Sequence, residues 1–129
     1  MIVVDASALL EVLLQTSAAA AVSNRIFAPG EILCAPHLLD IEVAQVLRRY
    51  ARTGAIRPER GREVLQDLAD LPLHRYPHAI LLPRIWQLRD NLTAYDAVYL
   101  ALAEALDVPL VTRDRALAAT KSMAQVDVL

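Results

Sequence analysis

Apolar positions along this chain fall into two patterns: short continuous runs, and longer stretches in which they recur at helical spacing. The β-branched run MIVVD (1–5) ends in Asp5 and reads as a buried parallel strand. ASALLEVLLQ (6–15) turns helical, with Leu9, Leu10, Leu13 and Leu14 on one face. A second, Ala-rich helix is expected from about Ser17 to Phe27, stopped by the breaker APGE. ILCA (32–35) predicts a second strand ended by Pro36. HLLDIEVAQVLRRYARTG (37–54) predicts a helix with Leu39, Val43, Val46, Leu47 and Tyr50 inward and Gly54 as its C-cap. RPERGREVLQDLADL (57–71) opens with a proline near its first turn and predicts another helix. PLHRY (72–76) suits a short strand, and PHAILLPRIWQLRDN (77–91) is helical in pattern, with Pro83 expected to kink or divide it. RDNLTAYDAVYLALAEAL (89–106) is a buried helix by its stripe of Leu92, Tyr95, Tyr99, Leu100 and Ala103. VPLVT (108–112) is a strand, RDRALAATK (113–121) a short helix and AQVDVL (124–129) a last strand.

Strands alternating with helices predict an α/β fold: a three-layer sandwich with a small parallel sheet of about four or five strands and helices on both faces. No repeat, linker or composition shift divides the chain, so 1–129 reads as a single domain. In such sheets ligands bind outside the carboxyl ends of the strands. The 56% apolar content argues against disorder. No apolar run approaches the roughly 20 residues that span a bilayer, so no membrane role is expected. The N-terminus lacks a basic segment, and Cys34 is the only cysteine, so neither a signal peptide nor an intrachain disulfide is expected. A cytoplasmic protein is the simplest reading, with secretion left open.

Two acids break the apolar pattern. Asp96 sits inside the stripe of its helix, and burying a lone carboxylate is costly without a partner. Glu42, three residues after Leu39 and four before Val46, also projects from an apolar face, whereas Asp40 points nearly the opposite way. Asp5 ends the first strand and Asp114 follows the strand VPLVT. All four acids can therefore open onto one edge of the sheet. Converging carboxylates raise one another's pKa, and a hard divalent cation resolves the conflict. Mg²⁺ or Mn²⁺ suits such oxygens, while the scarcity of nearby His and Cys disfavours zinc. The chemistry expected of that metal is phosphodiester hydrolysis. The bland alternatives are helix caps for Asp5 and Asp114, and buried salt bridges for Glu42 and Asp96. Ser7, Thr112 and Asn91 are candidates to orient the acids, or to order loops and cap helix ends.

The net charge of −2 announces no nucleic-acid binder, but twelve of the thirteen basic residues are Arg. Six of them, Arg48, Arg49, Arg52, Arg57, Arg60 and Arg62, fall within fifteen positions. That cluster reads as a solvated face or partner surface before it reads as a substrate track.

The segments VVDASAL, LLDIEVAQVLRR, NLTAYDAVYLALA and PLVTRD, in that order and spacing, resemble the PIN-domain ribonucleases, and more narrowly the VapC toxins of VapBC toxin–antitoxin systems. The resemblance covers essentially the whole chain. It implies a Mg²⁺- or Mn²⁺-dependent endoribonuclease with Asp5, Glu42, Asp96 and Asp114 as catalytic and metal-binding quartet, and with Ser7 and Thr112 lining the pocket. It implies a homodimer and structured RNA substrates of the tRNA or ribosomal RNA class. It also implies a VapB-like antitoxin seated in the groove of the first two helices and the helix at 37–54. Asp5, Asp96 and Asp114 would hold the ion most directly, and Glu42 would complete the shell or take the proton of the attacking water, leaving a 5′-phosphate and a 3′-hydroxyl. Arg113 and Arg115, beside Asp114, are candidates for backbone phosphates. Tyr95 and Tyr99 suit base stacking or, by their spacing, core packing; Trp86 suits core or a dimer surface. The alternative is a catalytically inactive PIN-fold module that binds RNA or regulates. A receiver domain would want paired acids on the first strand and a well-placed Lys, and an Asp-nucleophile phosphatase would want an acid where Ser7 stands.

Overall fold

The computed structural model describes all residues from Met1 to Leu129. Five strands form one parallel sheet: β1 (Ile2–Val4), β2 (Leu33–Pro36), β3 (Leu73–Tyr76), β4 (Leu110–Thr112) and β5 (Val126–Val128), in the order β3-β2-β1-β4-β5. Seven α-helices connect them: α1 (Ala6–Leu13), α2 (Ala19–Ile26), α3 (Leu38–Thr53), α4 (Pro58–Asp70), α5 (Leu82–Gln87), α6 (Ala94–Leu106) and α7 (Arg115–Ala119). Four strands lie within their sequence-predicted runs and β2 runs one residue past its own, taking in Pro36 opposite Tyr76; the expected α/β class and strand number hold.

The order of strands follows from burial. β1 pairs with both β2 and β4, Val3 facing Cys34 on one side and Leu110 on the other. Val3, Val4, Cys34, Leu110 and Val111 are fully buried, which is why these strands are continuous apolar runs. Each such side chain stabilises the fold by roughly 1.5–3 kcal/mol. From β1 the chain winds outward to β2 and β3, then returns past β1 to β4 and β5. Right-handed crossovers place α1 to α4 on one face and α5 to α7 on the other. The packing agrees: α1 lies against α2, α3 and α4, while α6 lies against β1, β2 and β4 with α5 on its back. The reversal beside β1 makes the crevice between the ends of β1 and β4 the place where such a sheet opens.

α6 corrects one expectation. Ala97 through Ala103 are buried without a break, so the helix is enclosed nearly all round rather than amphipathic. The one-stripe reading put Tyr95 inward, yet Tyr95 is 63% exposed at the helix start. Trp86 is 67% exposed and does not enter the core. Pro83 divides its segment as expected: a 3₁₀ turn at Ala79–Leu81 precedes it, and it occupies the first turn of α5, where no amide hydrogen is missed. No helix is long and apolar enough to cross a membrane.

α3 ends on Gly54 at φ 80°, and nothing lies within 4 Å of where its Cβ would stand. A substitution there therefore meets backbone strain without a clash. Gly54→Ala should destabilise the protein by about 1 kcal/mol, read as a lower urea midpoint at unchanged slope.

Candidate active site

Asp5 follows β1 as the N-cap of α1, buried at 5% exposure. Its Oδ1 accepts from the Ser7 hydroxyl (2.7 Å) and the Ala8 amide (3.0 Å), and its Oδ2 accepts from the Thr112 hydroxyl (2.5 Å). The two hydroxyls accept in turn from the other strand end: Thr112 Oγ1 from the Asp114 amide (2.9 Å), and Ser7 Oγ from the Arg113 amide (3.0 Å). Ser7 and Thr112 thus tie the ends of β1 and β4 together and fix the Asp5 carboxylate. Asp114 caps α7, accepting from the Ala116 amide (2.9 Å). Cap and site are one arrangement at both residues.

Glu42 and Asp96 arrive from helices. Glu42 lies on the second turn of α3, half-buried, and accepts a hydrogen bond from the Tyr99 hydroxyl of α6. α6 leads into β4 and runs against the strand direction, so its N-terminal turn, with Asp96, lies at the carboxyl edge of the sheet. Thr93 caps that turn, accepting from the Asp96 amide (3.2 Å). The four acids line a single cleft of about 530 Å³, together with Ser7, Tyr99 and Arg49.

The salt-bridge alternative for Glu42 and Asp96 does not hold. The chain forms eight ion pairs within 4.0 Å, and none includes Asp5, Glu42, Asp96 or Asp114. Asp40, by contrast, turns away and takes a two-pronged pair from Arg75, at 2.7 and 3.0 Å. Burial pushes the Asp5 carboxyl up, opposed by its hydrogen bonds from Thr112, Ser7 and Ala8, and the Asp96 charge adds to the rise. Glu42 is raised by burial and by the charges of Asp96 and Asp5, against the lowering effect of Tyr99. Asp96 is raised by burial and then by Asp114. The Tyr99 hydroxyl is pushed far up by burial and by Glu42, so it remains a donor.

These donors are all oxygens, as a hard dication prefers, and no His or Cys joins them. Cys34 is buried within the sheet beside the Tyr76 hydroxyl, and His37 lines a separate groove. The donor chemistry fits Mg²⁺ or Mn²⁺. The chelate is not closed: no three carboxylates gather about one point as the side chains stand.

Three expected residues lie elsewhere. Asn91 is exposed in the turn before α6, outside the cleft, and its side chain bonds none of the acids; Thr93 has the capping role. Arg113 and Arg115 are exposed beside Asp114 but do not line the cleft, and Arg113 leans toward Glu11 at 3.9 Å. The sequence pattern does not single out two of the lining residues. Tyr99 reads there as a packing or stacking ring, although a hydroxyl on so apolar a helix signals a buried acceptor nearby. Arg49 reads as one member of an undivided cluster.

The PIN domain family model matches residues 2–122. Ribonuclease VapC9 of Mycobacterium tuberculosis (strain ATCC 25618 / H37Rv) is 48% identical over 120 residues, 93% of this chain and 91% of that one. The crystal structure of PAE2754 from Pyrobaculum aerophilum is similar at TM-score 0.72 and 29% identity, covering 98% of this chain and 83% of that one. VapBC2 of Rickettsia felis, solved bound to a DNA fragment from their promoter, is similar at TM-score 0.75. It covers 100% of this chain and 99% of that one, and at 12% identity this is a likeness of fold.

The raised carboxyls have a consequence for stability. Above the ordinary carboxylate range and up to the raised values, the folded chain binds more protons than the unfolded chain. Stability contributed by Asp5, Glu42 and Asp96 therefore falls as pH rises through that window. Glu31 and Glu104, lowered by the N-terminal amine and by Arg84, act oppositely: their contribution is lost only as pH falls below the ordinary range. With chelator present, Asp96→Asn should melt a few degrees above wild type at about pH 7.5, and the gap should narrow near about pH 5. A variant that melts lower throughout would mean that Asp96 is compensated in the fold.

Proposed function

The chain belongs to the PIN-domain family, among its VapC ribonucleases, and from that premise we propose a Mg²⁺- or Mn²⁺-dependent endoribonuclease toxin. The observation that carries the proposal is the cleft itself. Four carboxylates from four separate segments line it without a cation partner from the protein. When bound, the dication supplies charge neutralisation at the phosphate and a lowered pKa for a water. Asp5, Asp96 and Asp114 would hold it. Ser7 and Thr112 keep the Asp5 carboxylate turned to the cleft, and Tyr99 holds Glu42. Glu42 takes the proton of the water as its oxygen bonds to phosphorus in line with the leaving group. The P–O3′ bond breaks, its electron pair leaves with O3′, and O3′ takes a proton from solvent water, so the products carry a 5′-phosphate and a 3′-hydroxyl. The ribose 2′-hydroxyl takes no part.

Structured RNA of the tRNA or ribosomal RNA class as substrate, and a VapB-like antitoxin as partner, complete the proposal on the strength of the VapC relatives. So does a homodimer. Its proposed face is the apolar groove between α3, α5 and α6, where Ile41, Leu82 and Tyr95 are each more than half exposed, with Trp86 on α5 beside them. Four large apolar side chains left open on one side of a small domain suit burial against a second copy.

Cleavage of total RNA should require Mg²⁺ or Mn²⁺, stop with EDTA, and be lost in Asp5→Asn. Fragments should accept a 3′ adaptor without end repair. Equal cutting by wild type and variant, or a 2′,3′-cyclic phosphate, would reject the mechanism, and RNA binding without any cutting would support the inactive-module alternative. In light scattering the wild-type chain should weigh about twice its 14.2 kDa, and Leu82→Asp with Trp86→Asp should halve that mass. A wild-type monomer would remove the dimer.

A further inference from the structure

We propose that the stripe of α3 formed by Gln45, Arg49 and Arg52 is the phosphate-binding rail of the cleft, with Arg49 its first contact; this rests on the nuclease reading and specifies where the RNA backbone lies. A cleft lined by four carboxylates repels a phosphodiester, so a substrate needs positive charge at the rim. Arg49 is the only basic side chain lining that cleft. Its guanidinium forms no ion pair, although carboxylates line the same space, and it rests 5.6 Å from the centroid of the Tyr50 ring. Several arginines are engaged elsewhere, Arg25 with Asp127 and Glu31, Arg75 with Asp40 and Arg84 with Glu104, and of those left unpaired Arg49 alone lines the cleft.

Helical register supplies the direction. Glu42, Gln45, Arg49 and Arg52 fall on one stripe of α3, with Arg49 about 10 Å and Arg52 about 15 Å along the axis from Glu42. Glu42 and Gln45 line the cleft, and the stripe runs out of it through Arg49 to an exposed, unpaired Arg52. A guanidinium fork matches phosphate oxygens bidentately, which an ammonium does not. Arg113 and Arg115 both lie outside the cleft, and Arg113 faces Glu11.

The test measures binding of fluorescein-labelled tRNA by anisotropy across a potassium chloride series, on the full chain carrying Asp5→Asn so that nothing is cut. Adding Arg49→Ala should weaken binding about tenfold at low salt. It should also flatten the slope of log affinity against log salt by about 0.7–0.9. Arg49→Lys should keep the slope and lose part of the affinity. Arg62→Ala, an equally exposed and unpaired arginine on α4, controls for net charge. An unmoved slope in Arg49→Ala, or equal flattening by Arg62→Ala, would overturn the proposal. So would RNA binding that persists in a variant that has lost binding to polyglutamate, which would assign the stripe to an acidic protein partner. The nuclease reading fails separately, by the absence of cutting in the unsubstituted chain.

Discussion

Like charges held together without a counter-charge constrain everything else in this molecule. Asp5, Glu42, Asp96 and Asp114 share one cleft, and the burial of the first three raises their carboxyls. Elsewhere the chain neutralises its acids readily, as Asp40 with Arg75 and Glu104 with Arg84 show. Here it uses neutral donors instead: two hydroxyls and an amide on Asp5, and a phenol on Glu42. Neutral donors orient a carboxylate without cancelling its charge, so the field in the cleft survives. A buried arginine would have cancelled that charge.

The fold lowers the conformational cost of this crowding, because two of the acids sit where the backbone already needs a polar residue. Asp5 and Asp114 satisfy amides at the starts of α1 and α7 while facing the cleft. Their helix caps are worth about 1 kcal/mol each, and that offsets part of the repulsion. The parallel sheet gathers them: β1 and β4 are neighbours, and the helices that follow or precede them present their ends at the same edge.

Much of this was legible from residues alone. The four acids could be placed because strand ends and helix starts are local features, and because Glu42 and Asp40 differ by two positions on a helix and hence point apart. Less legible was anything set by packing on more than one side. In α6 the apolar surround is nearly complete, so periodicity cannot say that Tyr95 emerges while Tyr99 stays in. Asn91 and Thr93 are both good caps, and only the geometry of the turn chooses Thr93. Long arginines are the hardest, since their heads lie several bonds from the backbone. Arg113, next to Asp114 in sequence, swings toward Glu11, while Arg49, seven residues from Glu42, returns to the cleft.

That last contrast bears on how an acidic cleft admits a polyanion. Placing basic residues next to the acids in sequence would tend to pair them and discharge the field. Placing them two turns along a rigid helix keeps the guanidinium beyond ion-pair reach, here helped by its rest over the Tyr50 ring. The separation is set by the rise of α3 and not by a flexible loop, so the two charges cannot easily collapse onto each other. On the proposed reading, an attractive rim and a repulsive floor coexist in one cleft, and a dication would let a polyanion lie across both.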